Sequence, residues 1–289
     1  DGEYYAGYLD AARVLVDRFM KPAERRAGSV VLLGDCGGVH GEYVKELCRL
    51  LGFLSLRVEG QFPSYLALSE MDVVPAAELL IVLGRRSDEK QALLVDLARH
   101  IHERFGTPYL ADVYAVGSEE TKEWLRAVGR LCGREREAEE AIRAEEAAFQ
   151  RAVDEVRPTL AERRVTFAIG RDLDWFQPKI IMRLLKKAGV ELAGVVLLDS
   201  FLPGRREVME EEVARLTDAP IAHEGSREAE ALFKAADFVL TTHELTDARL
   251  RQIFLALMPS VGWSMEKKLL RDMVHIVCRH ESRGGLIYG

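Results

Sequence analysis

Three clusters of residues in this chain have the types and spacing that chemistry uses. The first is Gly34-Asp35-Cys36-Gly37-Gly38, with His40 and Gly41 behind it, directly after the apolar run Val30–Leu33. Glycines at that place let backbone N–H groups close around a phosphate, and Glu59 further on has the position of a ribose partner. The spacing is not the G-x-G-x-x-G of dinucleotide sites, however. The same glycines equally serve a tight strand-to-helix turn that needs positive φ. The second cluster, Arg85-Arg86-Ser87, follows the apolar run Leu79–Leu83. Two guanidinium groups and a hydroxyl suit a carboxylate or phosphate, and salt bridges to an acidic surface would use them as well. The third, Arg171-Asp172-Leu173-Asp174, follows Val165–Ile169 and Gly170.

Other combinations of reactive residues are poorly spaced. His100 and His102 face different ways on one helix. His275 and Cys278 share a face without a third ligand, and read as a satisfied core pair. No serine–histidine–acid order or carboxylate pair stands out.

The elements that must position the three clusters follow from periodicity. Val30–Leu33, the glycine-rich loop, a helical stripe of Val44, Leu47, Cys48 and Leu51, and a strand at Leu54–Val58 make a strand–loop–helix–strand unit. The unit recurs at Val165–Ile169, with Ile181, Leu185 and Ala188 on a helical face and a strand at Val195–Leu198. Each unit demands a parallel sheet with right-handed crossovers. The fold class expected is therefore α/β, with two Rossmann-like parallel-sheet domains joined by a long helix.

The expected organisation is an opening helix and linker over 1–28, a first domain over 29–133, a connecting helix over 134–163 and a second domain over 164–289. The opening helix, Tyr8–Phe19, is read with Ala11, Val14, Leu15 and Phe19 on its buried face. Further strands are expected at Leu79–Leu83, Tyr109–Val113, Ile221–His223 and Phe238–Thr241, and helices at Asp88–Phe105, Thr121–Cys132 and from Trp263 onward. The stretch 134–163 is the most charged of the chain. Its apolar residues recur at helical spacing, with Pro158 as a bend; a disordered acidic linker is the alternative.

In open parallel sheets ligands bind beyond the carboxyl ends of the strands. That rule selects Asp35–Gly38, Glu59–Gln61, Gly84–Ser87, Arg171–Asp174 and Asp199-Ser200. The binding residues expected are Asp35, Gly37, Gly38, Gly60, Gln61, Arg85, Arg86, Ser87 and Arg171; no catalytic residue and no metal ligand is assigned.

Composition narrows the partners. The 48% hydrophobic content can fill two cores, and the formal charge of −7 argues against a general nucleic-acid surface. No apolar run approaches the roughly 20 residues of a membrane span, and no export signal is visible. The four cysteines, Cys36, Cys48, Cys132 and Cys278, are scattered and read as reduced thiols of a cytoplasmic protein. The first residue is Asp1 rather than methionine, as in a piece of a longer chain.

Taken in order, several short motifs resemble the component 1 subunits of nitrogenase and nitrogenase-like oxidoreductases. Gly7-Tyr8 with Ala11 matches the family's opening helix, Val31–Gly34 its strand end, and Phe105-Gly106-Thr107-Pro108-Tyr109 a helix-to-strand step. Gly117, Thr121 and Leu125 follow suit, as do Arg164-Val165, Pro259-x-x-Gly262-Trp263 and Arg271-Asp272-Met273. The resemblance covers nearly the whole chain and implies the second and third of three Rossmann-like domains, the first lying outside it. It implies a homologous component 1 subunit as partner, an ATP-dependent iron–sulfur reductase as electron donor and a small-molecule substrate. It also implies an iron–sulfur cluster, for which no ligands are identified in this chain.

Departures from the family pattern are specific. The place of its cofactor-binding cysteine corresponds to Gly84, the place of its histidine ligand falls near Phe254–Met258, and its arginine loop corresponds to Arg171–Asp174. A nitrogenase-type cofactor is therefore not expected. Two other readings stay open on the sequence: a two-lobed metal-chelate or small-molecule binding protein, and a nicotinamide-dependent oxidoreductase resting on the Gly34 loop and Glu59.

Overall fold

The computed structural model describes residues 2–36, 38, 40–84, 89–173, 175–247, 249–257 and 259–279. The chain divides into two units, one formed by Asp1–Glu146 with Met258–Ser264 and the other by Ala147–Leu257 with Met265–Gly289. Each holds one sheet, and every strand pairing within it is parallel.

Unit 1 is built on β1 (Arg26–Leu33), β2 (Arg57–Phe62), β3 (Ala77–Val82) and β4 (Tyr109–Leu110), in the order β2-β1-β3-β4. Val30 to Leu33 are all completely buried. Consecutive buried residues mean that both faces of the strand are covered, as parallel sheets require. The covering helices are α1 (Gly2–Phe19), α2 (Glu42–Phe53), α3 (Val73–Ala76), α4 (Glu89–Phe105) and α5 (Ser118–Cys132).

Three sequence expectations in this unit need correction. The buried stripe of α1 is Leu9, Ala12 and Val16, continued by Met20 beyond the helix, while Val14 and Phe19 are exposed. Both sets have helical spacing, and spacing alone does not choose between two neighbouring stripes of one helix. On α2, Cys48 is exposed and Leu50 takes its place in the core. Strand β2 begins at Arg57 and not at Leu54, because Ser55 turns the chain with φ of 55°. Glu59, Gly60 and Gln61 are consequently strand residues.

The charged stretch forms one helix, α6 (Glu135–Leu160), with Pro158 in its last turn. Ala138, Ala141 and Ile142 are buried in its first half, and Phe149, Val153 and Leu160 in its second. Its residues up to Glu146 belong to unit 1 and the remainder to unit 2.

Unit 2 carries β5 (Arg164–Ile169), β6 (Glu191–Leu197), β7 (Ile221–His223), β8 (Phe238–Thr241) and β9 (Gln252–Phe254), in the order β7-β6-β5-β8-β9. Its other helices are α7 (Pro178–Ala188), α8 (Arg205–Ala214), α9 (Arg227–Ala235) and α10 (Gly262–Cys278). Helix α7 starts on Pro178 and stops at Gly189, left-handed with φ of 75°, the usual pairing of helix signals. The pair His275 and Cys278 does not enter the core: both side chains are exposed on α10. No described helix is long and apolar enough to cross a membrane.

Candidate functional site

In unit 1 the crossovers from β1 run one way to β2, while β3 lies on the other side of β1. The carboxyl ends of β1 and β3 therefore flank the switch point where such sheets take ligands. Gly34 ends β1 with φ of 114°. Its N–H donates to Phe62 O at 2.8 Å, and its carbonyl accepts from Gln61 Nε2 at 2.8 Å. Gln61 is completely buried, and its Oε1 has no partner among the described residues. Asp35 is exposed and accepts from the Tyr65 hydroxyl at 3.2 Å; its charge raises the Tyr65 pKa above the usual phenol value. Gly38 has φ of 72°, and a Cβ on it would come within 3.0 Å of the Tyr65 hydroxyl oxygen.

Of the residues singled out in this unit, Asp35, Gly38 and Gln61 surround Gly34 and Tyr65, and Gly60 lies inside β2 under Leu66. Glu59 is held on the same strand by Arg57, whose Nε donates to it at 2.8 Å. Gly37, Arg85, Arg86 and Ser87 lie outside the described residues.

At the end of β3 the Tyr43 hydroxyl donates to Gly84 O at 2.9 Å, and Gln91 Nε2 donates to Leu83 O at 3.0 Å. A Cβ on Gly84 would lie 2.4 Å from Tyr114 Cε1 and 2.7 Å from Gln91 Nε2. A cysteine therefore cannot replace Gly84 without displacing both. The residues here do not fit a thiolate-held metal cofactor at this position. Among the described residues, moreover, no three His, Cys, Asp or Glu side chains come together as a metal site needs.

Unit 2 has its switch point between β5 and β8. Gly170 follows β5, Ser200 follows β6, and Thr242 with His243 follows β8. Gly170 N–H donates to Thr242 Oγ1 at 2.8 Å, and the Ser200 hydroxyl donates to Gly170 O at 3.0 Å. His243 Nδ1 stands 3.0 Å from Thr242 Oγ1 and 3.5 Å from Ser200 Oγ. Burial pushes the His243 pKa below the ordinary imidazole value, the Arg171 charge adds to this, and Glu224 opposes it. Arg171 donates from Nη2 to Leu255 O at 2.7 Å and stacks over Phe254. Asp172 is ion-paired with Arg205 at 2.7 Å; Asp174 lies outside the described residues.

Thr242 and His243 are absent from the sequence-based selection. The signal was there, a polar pair directly at the carboxyl end of the strand Phe238–Thr241. A cavity of about 810 Å³ in this unit is lined by Phe233, Asp237, Val239, Glu244, Leu245 and Arg251. The two helical histidines of α4 have structural partners: His100 Nε2 meets Asp17 Oδ1 at 3.0 Å and His102 Nδ1 meets Thr107 O at 2.9 Å.

Comparison with known proteins agrees with this architecture. The family described as nitrogenase component 1 type oxidoreductase matches residues 1–274. The nitrogenase molybdenum-iron protein alpha chain of Methanococcus maripaludis is 34% identical over 99 residues, which is 34% of this chain and 20% of that protein. Two structures of nitrogenase Cp1, at pH 6.5 and pH 5, superpose with TM-scores of 0.59 and 0.57 at 13% and 15% identity. They cover 94% and 95% of this chain, and 64% and 61% of their own. The chain thus spans less than two thirds of the length of these relatives, and the structural likeness concerns the fold.

Proposed function

Because the chain belongs to the nitrogenase component 1 type oxidoreductases, matched over residues 1–274, we propose that it serves as a subunit in an ATP-dependent, multi-electron reduction. That family match is the observation that carries the proposal. In this reading an ATP-dependent iron–sulfur reductase delivers electrons, a homologous component 1 subunit completes the assembly, and a small molecule is reduced. The assembly works in the cytoplasm. An iron–sulfur cluster enters only through the family, and no residue of this chain is assigned to hold it.

The chain's own part is to bind and orient. Asp35, Gly37, Gly38, Gly60 and Gln61 would shape the ligand region of unit 1 around the end of β1, with Arg85, Arg86 and Ser87 supplying charge and a hydroxyl after β3. Arg171 would serve the loop after β5. Gly34 and Gly38, both at positive φ, let the backbone of the first loop come close to a bound group in a way that side chains would prevent.

The test is electron transfer. The protein, purified anaerobically with its homologous subunit, is mixed with a reduced nitrogenase-type iron–sulfur reductase and MgATP. Reoxidation of the reductase's cluster is then followed by absorbance. The expected result is reoxidation that requires ATP and exceeds that of the reductase alone. Equal rates with and without the protein overturn the proposal.

A further inference from the structure

A parallel sheet relies on its crossover helices to cover its faces. In unit 2, α9 packs on β5, β6 and β7, and the Thr166 hydroxyl of β5 donates to its Leu232 O at 2.9 Å. Next to β5 in the sheet comes β8, and the connection from β8 to β9 forms no helix among its described residues. Beside α9, where a crossover helix would lie, there is a cavity of about 810 Å³. Small-molecule sites run from roughly 300 to 1,000 Å³.

The cavity is apolar at its base and acidic around it. Val239 lies buried there, and Phe233, Leu245 and Leu250 stand half-buried against the same core cluster. Five carboxylates line the space against three basic side chains, so its charge balance favours a cation. Most of these groups are engaged. Lys234 pairs with Glu230 at 3.6 Å, and Arg249 with Asp247 at 2.8 Å. Asp237 accepts from Arg164 N–H at 2.8 Å, Glu224 accepts from Asp199 N–H at 2.7 Å, and Arg251 donates to Val277 O at 3.5 Å. Glu244 is different: no described residue hydrogen-bonds or ion-pairs with its carboxylate. An open carboxylate accepts charge-assisted hydrogen bonds from an ammonium group, and the half-buried apolar side chains beside it gain by being covered.

We propose that this cavity binds a small organic cation, an ammonium group on an apolar body, with Glu244 holding the charge and Phe233, Val239 and Leu250 the body. The site does not depend on the reductase reading, since binding there needs neither electrons nor ATP.

Phenethylamine, cationic at neutral pH, is the probe. Titrated into ¹⁵N-labelled protein, it should move the amide signals of Leu245, Thr246 and Leu250 saturably. Phenylacetate, a similar body with the opposite charge, should not. Phenethyl alcohol, the neutral counterpart, should bind about fivefold more weakly, the upper range for an exposed charge pair. Glu244 is exposed, so its variants leave the core untouched. Glu244→Gln should weaken phenethylamine binding by about the same factor in calorimetry, and Glu244→Lys should lower it to no more than that of phenethyl alcohol. Phe233→Ala should weaken phenethylamine and phenethyl alcohol alike. The absence of a saturable phenethylamine response overturns the proposal. So does an equal response to phenylacetate, or phenethylamine affinity unchanged in Glu244→Lys, either of which would show an apolar patch without charge selection.

Discussion

Gly84 decides how the end of β3 is built. Its carbonyl is held by the Tyr43 hydroxyl, and the ring of Tyr114 occupies the volume where a side chain would begin. Overpacking of this kind typically costs about 1–3 kcal/mol. Gly84→Ala should destabilise the protein by about that amount in chemical denaturation. Adding Tyr114→Ala should recover part of the loss, since two residues competing for one volume do not add independently. The sequence showed a glycine after a strand. It did not show the wall itself, because Tyr43 and Tyr114 approach Gly84 from distant parts of the chain. The same holds for His243, whose neighbours Ser200 and Gly170 arrive from the ends of two other strands. Residue types at strand ends were legible; their mutual distances were not.

Elements with a strong apolar period were legible, among them β1, β3, β5, α5 and α7. Two of those missed, α8 and β9, have none. Helix α8 is largely charged and buries only Met209 and Val213, and β9 has three residues, Gln252-Ile253-Phe254. Parallel neighbours such as β8 and β9 are ordinarily joined through a helix, but none is formed among the described residues of 242–251. Gln252 stands in for the missing order: its Oε1 accepts from Leu245 N at 2.9 Å and its Nε2 donates to Leu245 O at 2.9 Å. Two bonds at one buried residue contribute about 1–3 kcal/mol together. Gln252→Ala should lose that much and should raise hydrogen exchange at the Leu245 amide while leaving β5 and β6 protected. Unchanged exchange at Leu245 would show that the connection holds by apolar packing of Leu245 and Leu250 alone.

At the scale of the molecule, the division into units does not follow the order of the chain. Met258–Ser264 belongs to unit 1 although it follows every strand of unit 2. Gly262 N–H donates to Val116 O at 2.9 Å. Trp263 is completely buried, and its Nε1 donates to Glu146 Oε2 at 3.3 Å. Removing a buried tryptophan costs about 3–5 kcal/mol. Trp263→Ala should therefore lower protection from hydrogen exchange on α5 and at the start of α6. Protection there equal to the parent's would mean the segment is not part of unit 1's stability. The sequence periodicity could not show this, since it reports which residues are buried and not which sheet they complete. The arrangement also has a consequence for synthesis. A ribosome releases β1 to β4 first, yet the residues that close unit 1 emerge only after all five strands of unit 2. The older half of the nascent chain must wait, with the place of Trp263 empty, for nearly the whole of the younger half to be made.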